Sequence, residues 1–347
     1  MEIRMMAPDE AREVQAIGRK AFGLLEGLFI PKPKDALLAL VDGKIVGAFV
    51  YKIFHCAGRK MGYPSFLFVH PSASGQGVGG KLCAAGVAHL WELGCDMQVT
   101  FVRDDNIASW GAFEKQGFTR VSVRKTAKLL GVWETLRMCA VTMYTLAVGH
   151  ELYIATKDPL AALPYKKDSG VAQVIDFVVL NTLLLAVAAR AFTDTLPVMI
   201  AFAFVFAGVV LAGFAGTVPS ARREWGFRMT GGGGAIHLLI AAIGSAFPVI
   251  GSWYPDRYEN TPEFRRDLAL PGVTSWVFLL GLAFAGPLTG EASPFWGYAS
   301  GLVAVLLVLR CLPVSVLGSN GFARVYGWNK AVYAALAAAS VFVVFVM

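Results

Sequence analysis

The sequence predicts an α/β domain with a mixed central sheet and flanking helices over residues 1–150, an interfacial linker over 151–170, and an all-α, polytopic membrane domain of about six transmembrane helices over 171–347. Three observations predict it. Residues 1–147 alternate short apolar runs with charged, turn-forming stretches, the pattern of strands and helices in one globular domain. After Gly170 the chain is dominated by apolar runs approaching the ~20 residues that a bilayer requires of a helix. The whole chain of 347 residues is 56% hydrophobic and only 16% charged, with a mean hydropathy of +0.57, too apolar to be soluble throughout.

Taken in order, Glu2 to Met6 reads as a first strand, and Asp9 to Phe22 as an amphipathic helix with Val14, Ile17, Ala21 and Phe22 on one side. Leu37 to Leu40 and Ile45 to Phe54 are strands joined through an Asp42-Gly43 turn. Phe66 to Val69 is the central strand, Lys81 to Leu93 a helix, Met97 to Val102 the next strand and Ile107 to Gln116 a further helix. Val121 to Thr126 and Cys139 to Leu146 are read as closing strands, with Leu129 to Leu136 between them unassigned. His150-Glu151-Leu152-Tyr153-Ile154 is half of a zinc motif lacking its second histidine, so the segment reads as a linker. Lys157 to Gly170, with Pro159, Pro164, Lys166 and Lys167, continues that linker along a membrane surface.

The chemistry concentrates between Val69 and Gly80. A strand ends in Val69-His70-Pro71, a glycine-dense loop Ser74-Gly75-Gln76-Gly77-Val78-Gly79-Gly80 follows, and a helix starts there. Such a loop lets backbone N–H groups converge on a ligand with no Cβ in the way, and the helix dipole adds partial positive charge. A phosphate or pyrophosphate suits it. No Gly-Lys-Ser/Thr closes the loop, and no acidic residue follows at the distance a dinucleotide fingerprint requires.

Val69-x-Pro71 followed by Gln76 and the glycines, with Asn106-Ile107-Ala108-Ser109 and Phe113-Glu114-Lys115-Gln116-Gly117-Phe118 downstream, resembles the GNAT superfamily of acyl-CoA-dependent N-acyltransferases over residues 1–147. Ser74 stands where Arg or Gln is usual, which removes one phosphate contact and leaves the backbone cradle. The resemblance implies acetyl-CoA or another acyl-CoA as cofactor, with no metal. It assigns cofactor contacts to Phe68, Val69, Gly75, Gln76, Gly77, Val78, Gly79, Gly80 and Asn106. It also implies an amine acceptor facing Leu24 to Pro33, and the membrane half of the chain adds the expectation that this amine is amphiphilic or membrane-associated. Acyl transfer needs a base for the amine, a donor polarising the carbonyl and a proton for the leaving thiolate. The family's usual proton donor is a Tyr where this sequence has Phe113, so that route is missing. Glu26 and His55 are the base candidates; an exposed loop glutamate and a structural histidine are the alternative readings. Asn106 bonds the cofactor or caps a helix.

Six spans are expected: Val171–Phe192, Leu196–Thr217, Gly232–Ile250, Val273–Gly286, Phe295–Leu317 and Trp328–Met347. The basic stretch Arg222 to Arg228 places its loop, and with it the N-terminal domain, on the cytosolic side of the inner cell membrane. Within the spans, Asp176 and His237 are site candidates because ionisable groups there are costly. Arg190 and Arg310 are expected to snorkel to headgroups. Leu270-Pro271-Gly272, Ala285-Gly286-Pro287, Leu312-Pro313 and Asn320-Gly321 resemble landmarks of the site-two protease family. The ligand positions hold Gly213, Phe214, Thr217 and Gly318 or Asn320, which implies a degenerate, zinc-less membrane domain.

The net charge of +7 suits phosphate-rich acyl-CoA and membrane lipids, and equally the basic edges of a membrane protein; no nucleic-acid partner is expected. Five cysteines without paired spacing suggest a reducing cytosol, and the polar start Met1–Glu10 predicts no signal peptide. Two functions from different classes follow: a membrane-integrated N-acyltransferase, or an acyl-CoA-sensing module regulating the membrane domain.

Overall fold

The computed structural model describes residues 1–104, 106–157, 170–190, 195–259, 261–289, 293–312 and 324–346. By backbone contacts the chain divides into two compact units. The first comprises Met1–Val102, Ala108–Tyr144 and Glu151–Tyr165; the second comprises Arg103–Ile107, Thr145–His150 and Lys166–Met347.

The first unit is built on a seven-stranded mixed sheet. Its strands are β1 (Glu2–Met5), β2 (Asp35–Val41), β3 (Lys44–Cys56), β4 (Arg59–Val69), β5 (Met97–Arg103), β6 (Thr119–Val121) and β7 (His150–Thr156), in the order β1-β2-β3-β4-β5-β7-β6. From β1 to β4 the pairing is antiparallel; β4 and β5 are parallel, so a crossover must join them. Helix α2 (Val78–Glu92) makes that crossover. Its Val78, Leu82, Gly86 and Leu90, four residues apart, face the sheet with Cys83 and Val87. Gly86 is required there: a Cβ would stand 2.3 Å from the Phe49 ring on β3. Helix α1 (Ala11–Glu26) covers the sheet with Val14 and Ile17 against Leu38, Leu40, Val50 and Phe68. Before it, Glu10 accepts from Arg4 and from the backbone N–H of Ala7, which fixes the turn into the helix.

Two expectations fail after α3 (Ile107–Glu114). Of the stretch read as a strand over Val121 to Thr126, only Val121 belongs to a strand, the last residue of β6, before helix α4 (Val123–Leu130) begins. Ser122 caps α4, its Oγ accepting from the Lys125 N–H at 3.3 Å, and local capping outcompetes the ladder. The stretch read as a strand over Cys139 to Leu146 is instead the end of helix α5 (Val132–Val141) and a following turn. The last strand in the chain, β7, lies inside the expected linker and inserts between β5 and β6; the expected boundary at residue 150 falls at that strand's start. Glu151 on β7 pairs with Arg120 at 2.7 Å. The rest of the expected linker, 158–169, lies outside the described residues.

The second unit holds α6 (Gly170–Ala188), α7 (Thr195–Ala215), α8 (Gly234–Ala242), α9 (Pro262–Thr289), α10 (Pro294–Cys311) and α11 (Lys330–Val346). Among the described residues four helices are long and apolar enough to cross a membrane: Gly170–Ala188, Thr195–Ser220, Pro262–Ala285 and Pro294–Cys311. Lys330–Phe345 is apolar but shorter. The count of about six is therefore not confirmed among the described residues. The expected span Gly232–Ile250 is a nine-residue helix that ends before Gly244, whose φ of +83° turns the chain out of the helix. The short fourth span is part of the 28-residue α9. A two-stranded ribbon, β8 (Trp225–Met229) with β9 (Gly251–Pro255), occupies what was read as a basic loop. Phe177, Phe206 and Phe227 meet edge to face in the core of the bundle.

Candidate active site

The first unit's site follows from how β4 loses its partner. On one side β4 is paired with β3 along its whole length, from Arg59 opposite Cys56 to Val69 opposite Gly47. On the other side its register with β5 covers only Met61 with Met97 and Gly62 with Gln98. Beyond those pairs the two parallel strands separate. Pro64 explains part of this, since it has no N–H to give a ladder. The β3–β4 register also shifts between Val50 and Tyr51, so Ser65 is an extra residue on β4; its Oγ donates to Val50 O at 3.1 Å. Across the start of the opening, Thr100 Oγ1 donates to Pro64 O at 2.9 Å.

The open end of β4 leads directly into the glycine loop. His70 accepts from the Ser72 N–H at 3.3 Å, and its ring lies 2.7 Å from Ser72 Oγ, which folds the first turn after the strand. Gln76 Nε2 donates to Ser72 O at 3.2 Å. Gly75 and Gly77 have φ of +79° and +77°, and a Cβ at either would meet open space within 4 Å. Gly77 is the N-cap of α2, and the helical bonding pattern opens with Lys81 N–H to Gly77 O at 3.2 Å. The N–H groups of Val78, Gly79 and Gly80 are therefore the donors that a helix start leaves without an intrahelical acceptor. Gly79 lies close enough to β4 that its Cβ would be 3.5 Å from Val69 Cγ2. The structure thus brings Val69, Gly75, Gln76, Gly77, Val78, Gly79 and Gly80 together at one end of the sheet.

Phe68 differs from these. Its side chain is buried with Val14 and Ile17 against α1, with Phe22 edge to face at 6.2 Å, so only its backbone can serve a ligand. Asn106 directly precedes α3, and its N–H donates to Arg103 O at 3.0 Å. Phe113 is buried and packs edge to face on Phe118 at 5.1 Å, offering no acid.

Neither base candidate joins this group. His55 is exposed on β3 opposite Lys60, at the hairpin end, whereas the glycine loop follows Val69 at the other end of β4. Nine residues of strand separate those ends, about 30 Å at 3.3 Å per residue. The expected place of His55 near the cleft is therefore corrected. Glu26 ends α1 just after a break at Gly23, φ +78°, and its side chain lies outside the described residues. Thr100, Pro64 and Ser65 were missed in the sequence; a proline followed by a serine inside an apolar run is the signal that could have marked the bulge.

In the second unit Asp176 is exposed on α6. His237 is buried on α8, its Nδ1 2.9 Å from Phe247 O and its ring stacked on Phe247 at 5.1 Å. No hydrogen bond or ion pair joins the two among the described residues. Arg310 does not snorkel: it is buried, and its guanidinium donates to Gly272 O at 3.1 Å and Ser275 Oγ at 3.0 Å on α9. Tyr254 on β9 donates to Asp104 Oδ2 at 2.6 Å, with Arg324 over its ring at 4.2 Å. Among the described residues no group of three or more His, Cys, Asp or Glu could hold a metal ion. The landmark residues Gly318, Asn320 and Gly321 lie outside the described residues.

Residues 6–118 match the family model described as Acetyltransferase (GNAT) family. A stretch of 95 residues is 40% identical to the mycothiol acetyltransferase of Geodermatophilus obscurus, covering 26% of this chain and 30% of that protein's length. Among solved structures, the chain is similar to the ribosomal-protein-S18-alanine N-acetyltransferase of Escherichia coli, at 16% identity and TM-score 0.30, over 35% of this chain and 79% of that one. It is also similar to a GNAT family acetyltransferase of Brucella melitensis in complex with acetyl-CoA, at 23% identity and TM-score 0.28, over 34% of this chain and 82% of that one.

Proposed function

We propose that this chain, whose N-terminal half carries a GNAT acetyltransferase domain, is a membrane-integrated N-acyltransferase that moves an acetyl or other acyl group from acyl-CoA to an amine. The observation that carries the reading is the opening between β4 and β5, which ends at the glycine loop and the donor end of α2. An extended pantetheine arm suits the unpaired side of Phe66–Val69, bonding the strand as a further ladder partner would. The pyrophosphate suits the N–H groups of Val78, Gly79 and Gly80. A thioester carbonyl beside the strand end receives a backbone N–H as negative charge grows on its oxygen. Asn106 stands at the start of α3, where it can bond the cofactor or order a water. The general base is open, with Glu26 the remaining carboxylate candidate and His55 displaced to the far hairpin.

The acceptor in this reading is an amphiphilic amine drawn from the membrane. The four long apolar helices hold the enzyme in the inner cell membrane, with the acyltransferase unit on the cytosolic side where acyl-CoA is found. The membrane unit keeps the landmarks of a site-two protease without its zinc ligands, and serves as scaffold and lipid-facing platform. Buried Phe113 favours a second reading, an acyl-CoA sensor with little turnover, because the side chain cannot protonate the leaving thiolate.

The test uses the full chain in detergent or nanodiscs. In a Gly77→Glu, Gly79→Glu double variant, a side chain fills the phosphate approach, a Cβ is forced into left-handed backbone at residue 77, and two charges oppose the pyrophosphate. CoA binding by calorimetry should fall at least a hundredfold, about 2.7 kcal/mol, while the thermal stability of the membrane unit holds. Undiminished affinity would remove the acyltransferase reading. Thiol release on adding lipid-like amines to the unaltered protein separates the enzyme from the sensor, which binds CoA without releasing thiol faster than water does.

A further inference from the structure

Helix α5 has two apolar faces, and among the described residues only one of them is packed. Thr135, Met138 and Cys139 are buried, followed by Thr142. On the other side Val132, Trp133, Leu136 and Val141 are 68%, 78%, 52% and 44% exposed, and Met143 just beyond the helix is 58% exposed. The spacing Val132, Trp133, Leu136, Ala140, Met143 is that of a continuous helical stripe. An exposed tryptophan inside such a stripe needs a reason, since it forfeits the largest apolar burial a side chain can supply.

The stripe is held rigidly. The Ala57 N–H in the β3–β4 turn donates to Glu134 Oε2 at 2.9 Å, and Cys56 Sγ donates to Glu134 O at 3.4 Å. Gly131, at φ +87°, separates α4 from α5 and caps both. The Glu134 carboxyl is engaged by Ala57 and by Arg137 at 3.7 Å. Over Val123–Val141 the sequence carries Arg124, Lys125, Lys128 and Arg137 against Glu134 alone, an excess of three positive charges. Arg124, Lys128 and Arg137 are exposed.

From this geometry we infer that the α4–α5 pair is a membrane-surface element: Trp133, Leu136 and Val132 insert into the interface of an anionic bilayer, and Arg124, Lys128 and Arg137 bind its phosphates. Tryptophan and leucine on one face with lysine and arginine beside them is what an interfacial helix requires, and Trp is the side chain best suited to headgroup depth. An anionic surface is selected over a second copy of the chain by charge, because two such faces would bring like charges together. The inference rests on the membrane-integrated reading above, and it adds a second, peripheral contact made by the acyltransferase unit itself.

The test places a nitroxide at Trp133→Cys, at Leu136→Cys and, as a control, at exposed Glu92→Cys on α2, in the full chain with Cys311→Ser. Cys56, Cys83, Cys95 and Cys139 are buried, so the introduced thiol is the one that reacts. Each protein is reconstituted in nanodiscs of phosphatidylcholine alone or with phosphatidylglycerol, and collisions with oxygen and with a water-soluble nickel chelate are compared. In anionic discs, the ratio of oxygen to nickel collisions at 133 and 136 should be several-fold higher than at 92. It should fall toward the control in pure phosphatidylcholine or high salt. Equal ratios at all three positions would overturn the inference, as would lipid contact indifferent to charge. Dipolar broadening between copies would assign the face to a dimer instead. Carbonate extraction of the unlabelled chain is read separately: release from the bilayer sinks the membrane-integrated reading, whereas retention with a water-exposed label sinks only this one.

Discussion

Both units satisfy most of their buried polar side chains from backbone, but they bury charge differently: the first pairs Glu151 with Arg120, whereas the second gathers several cations on one carboxylate. In the first, most buried polar side chains bond to backbone. Gln98 donates to Val87 O at 2.9 Å, Thr100 to Pro64 O, Thr135 to Gly131 O at 2.8 Å and Thr142 to Met138 O at 2.7 Å. The second does the same with Asn181, Thr230, Ser275 and Arg310, but in one place charge also gathers on charge. Asp267, fully buried on α9, receives Arg223 at 3.0 Å, Arg266 at 3.1 Å and Arg222 at 3.5 Å, and Arg223 reaches on to Glu259. Neutral bonds to backbone shape a unit locally, and each can be lost for about 1 kcal/mol. A buried carboxylate shared by several cations behaves otherwise, because removing it leaves the buried face of Arg223 without its anion and only the half-exposed Glu259 to offset the charge.

The largest effect should therefore come from Asp267→Ala. Arg223 is only 9% exposed, and losing its buried partner should cost about 3–5 kcal/mol. The full chain should lose monodisperse behaviour on heating at a markedly lower temperature. Arg222→Gln, which touches the same carboxylate from a side chain 63% exposed, should change stability by less than about 1 kcal/mol. If the two variants behaved alike, Asp267 would not act as a buried carboxylate on which the cluster depends.

Next in size is a steric change in the first unit. Gly86→Val puts carbon where the Phe49 ring already stands, at a Cβ distance of 2.3 Å, and α2 must lift from β3. Overpacking of this kind costs about 1–3 kcal/mol. Since α2 carries the phosphate donors, CoA affinity should weaken with stability, which parallel melting and titration would read. Unchanged affinity in a destabilised protein would mean that the start of α2 is positioned by its loop, not by helix packing.

The same contrast explains what could be read from the sequence. The strand, glycine loop and α2 were legible because glycines at left-handed φ and a period-four apolar pattern are local signals, and both are spelled out between Val69 and Leu90. The opening of the sheet was not, since it depends on how far β4 pairs with β5, a strand that follows only after α2, and that pairing stops at Met61 and Gly62. His55 was misplaced for a similar reason: its strand was found, but a 13-residue strand has two ends, and only pairing says which one meets the loop. In the second unit, composition alone overstated one span. Gly232–Ile250 is apolar enough for one, but Asn181 bonds both the N–H and C=O of Val249, at 2.6 Å and 3.2 Å, and holds that segment out of a helix. Apolar content shows that a segment is buried in something; it does not show that the something is lipid.

The smallest expected effect tests the other extreme from Asp267, a carboxylate paired near the surface. Glu10 accepts two bonds from Arg4 and one from the Ala7 N–H at 2.7 Å, and its carboxyl is lowered from 4.5 to about 2, first by Arg4 and then by Ala7. A carboxyl whose folded pKa is depressed contributes stability that is fully present above its unfolded pKa and is lost as pH falls toward the folded one. The window is thus from about 4.5 down to about 2. Solvent screens this pair, with Arg4 36% exposed, so the contribution should be a fraction of what the shift alone suggests. The readout is a difference, because other carboxylates titrate in the same range. Melting temperatures of the unaltered chain and of Glu10→Gln are compared at intervals between pH 6 and pH 2. The unaltered chain should be slightly more stable at pH 6, and the gap should close as pH approaches 2. Raising the salt should narrow it at pH 6 if Arg4 supplies most of it, and leave it intact if the Ala7 N–H does.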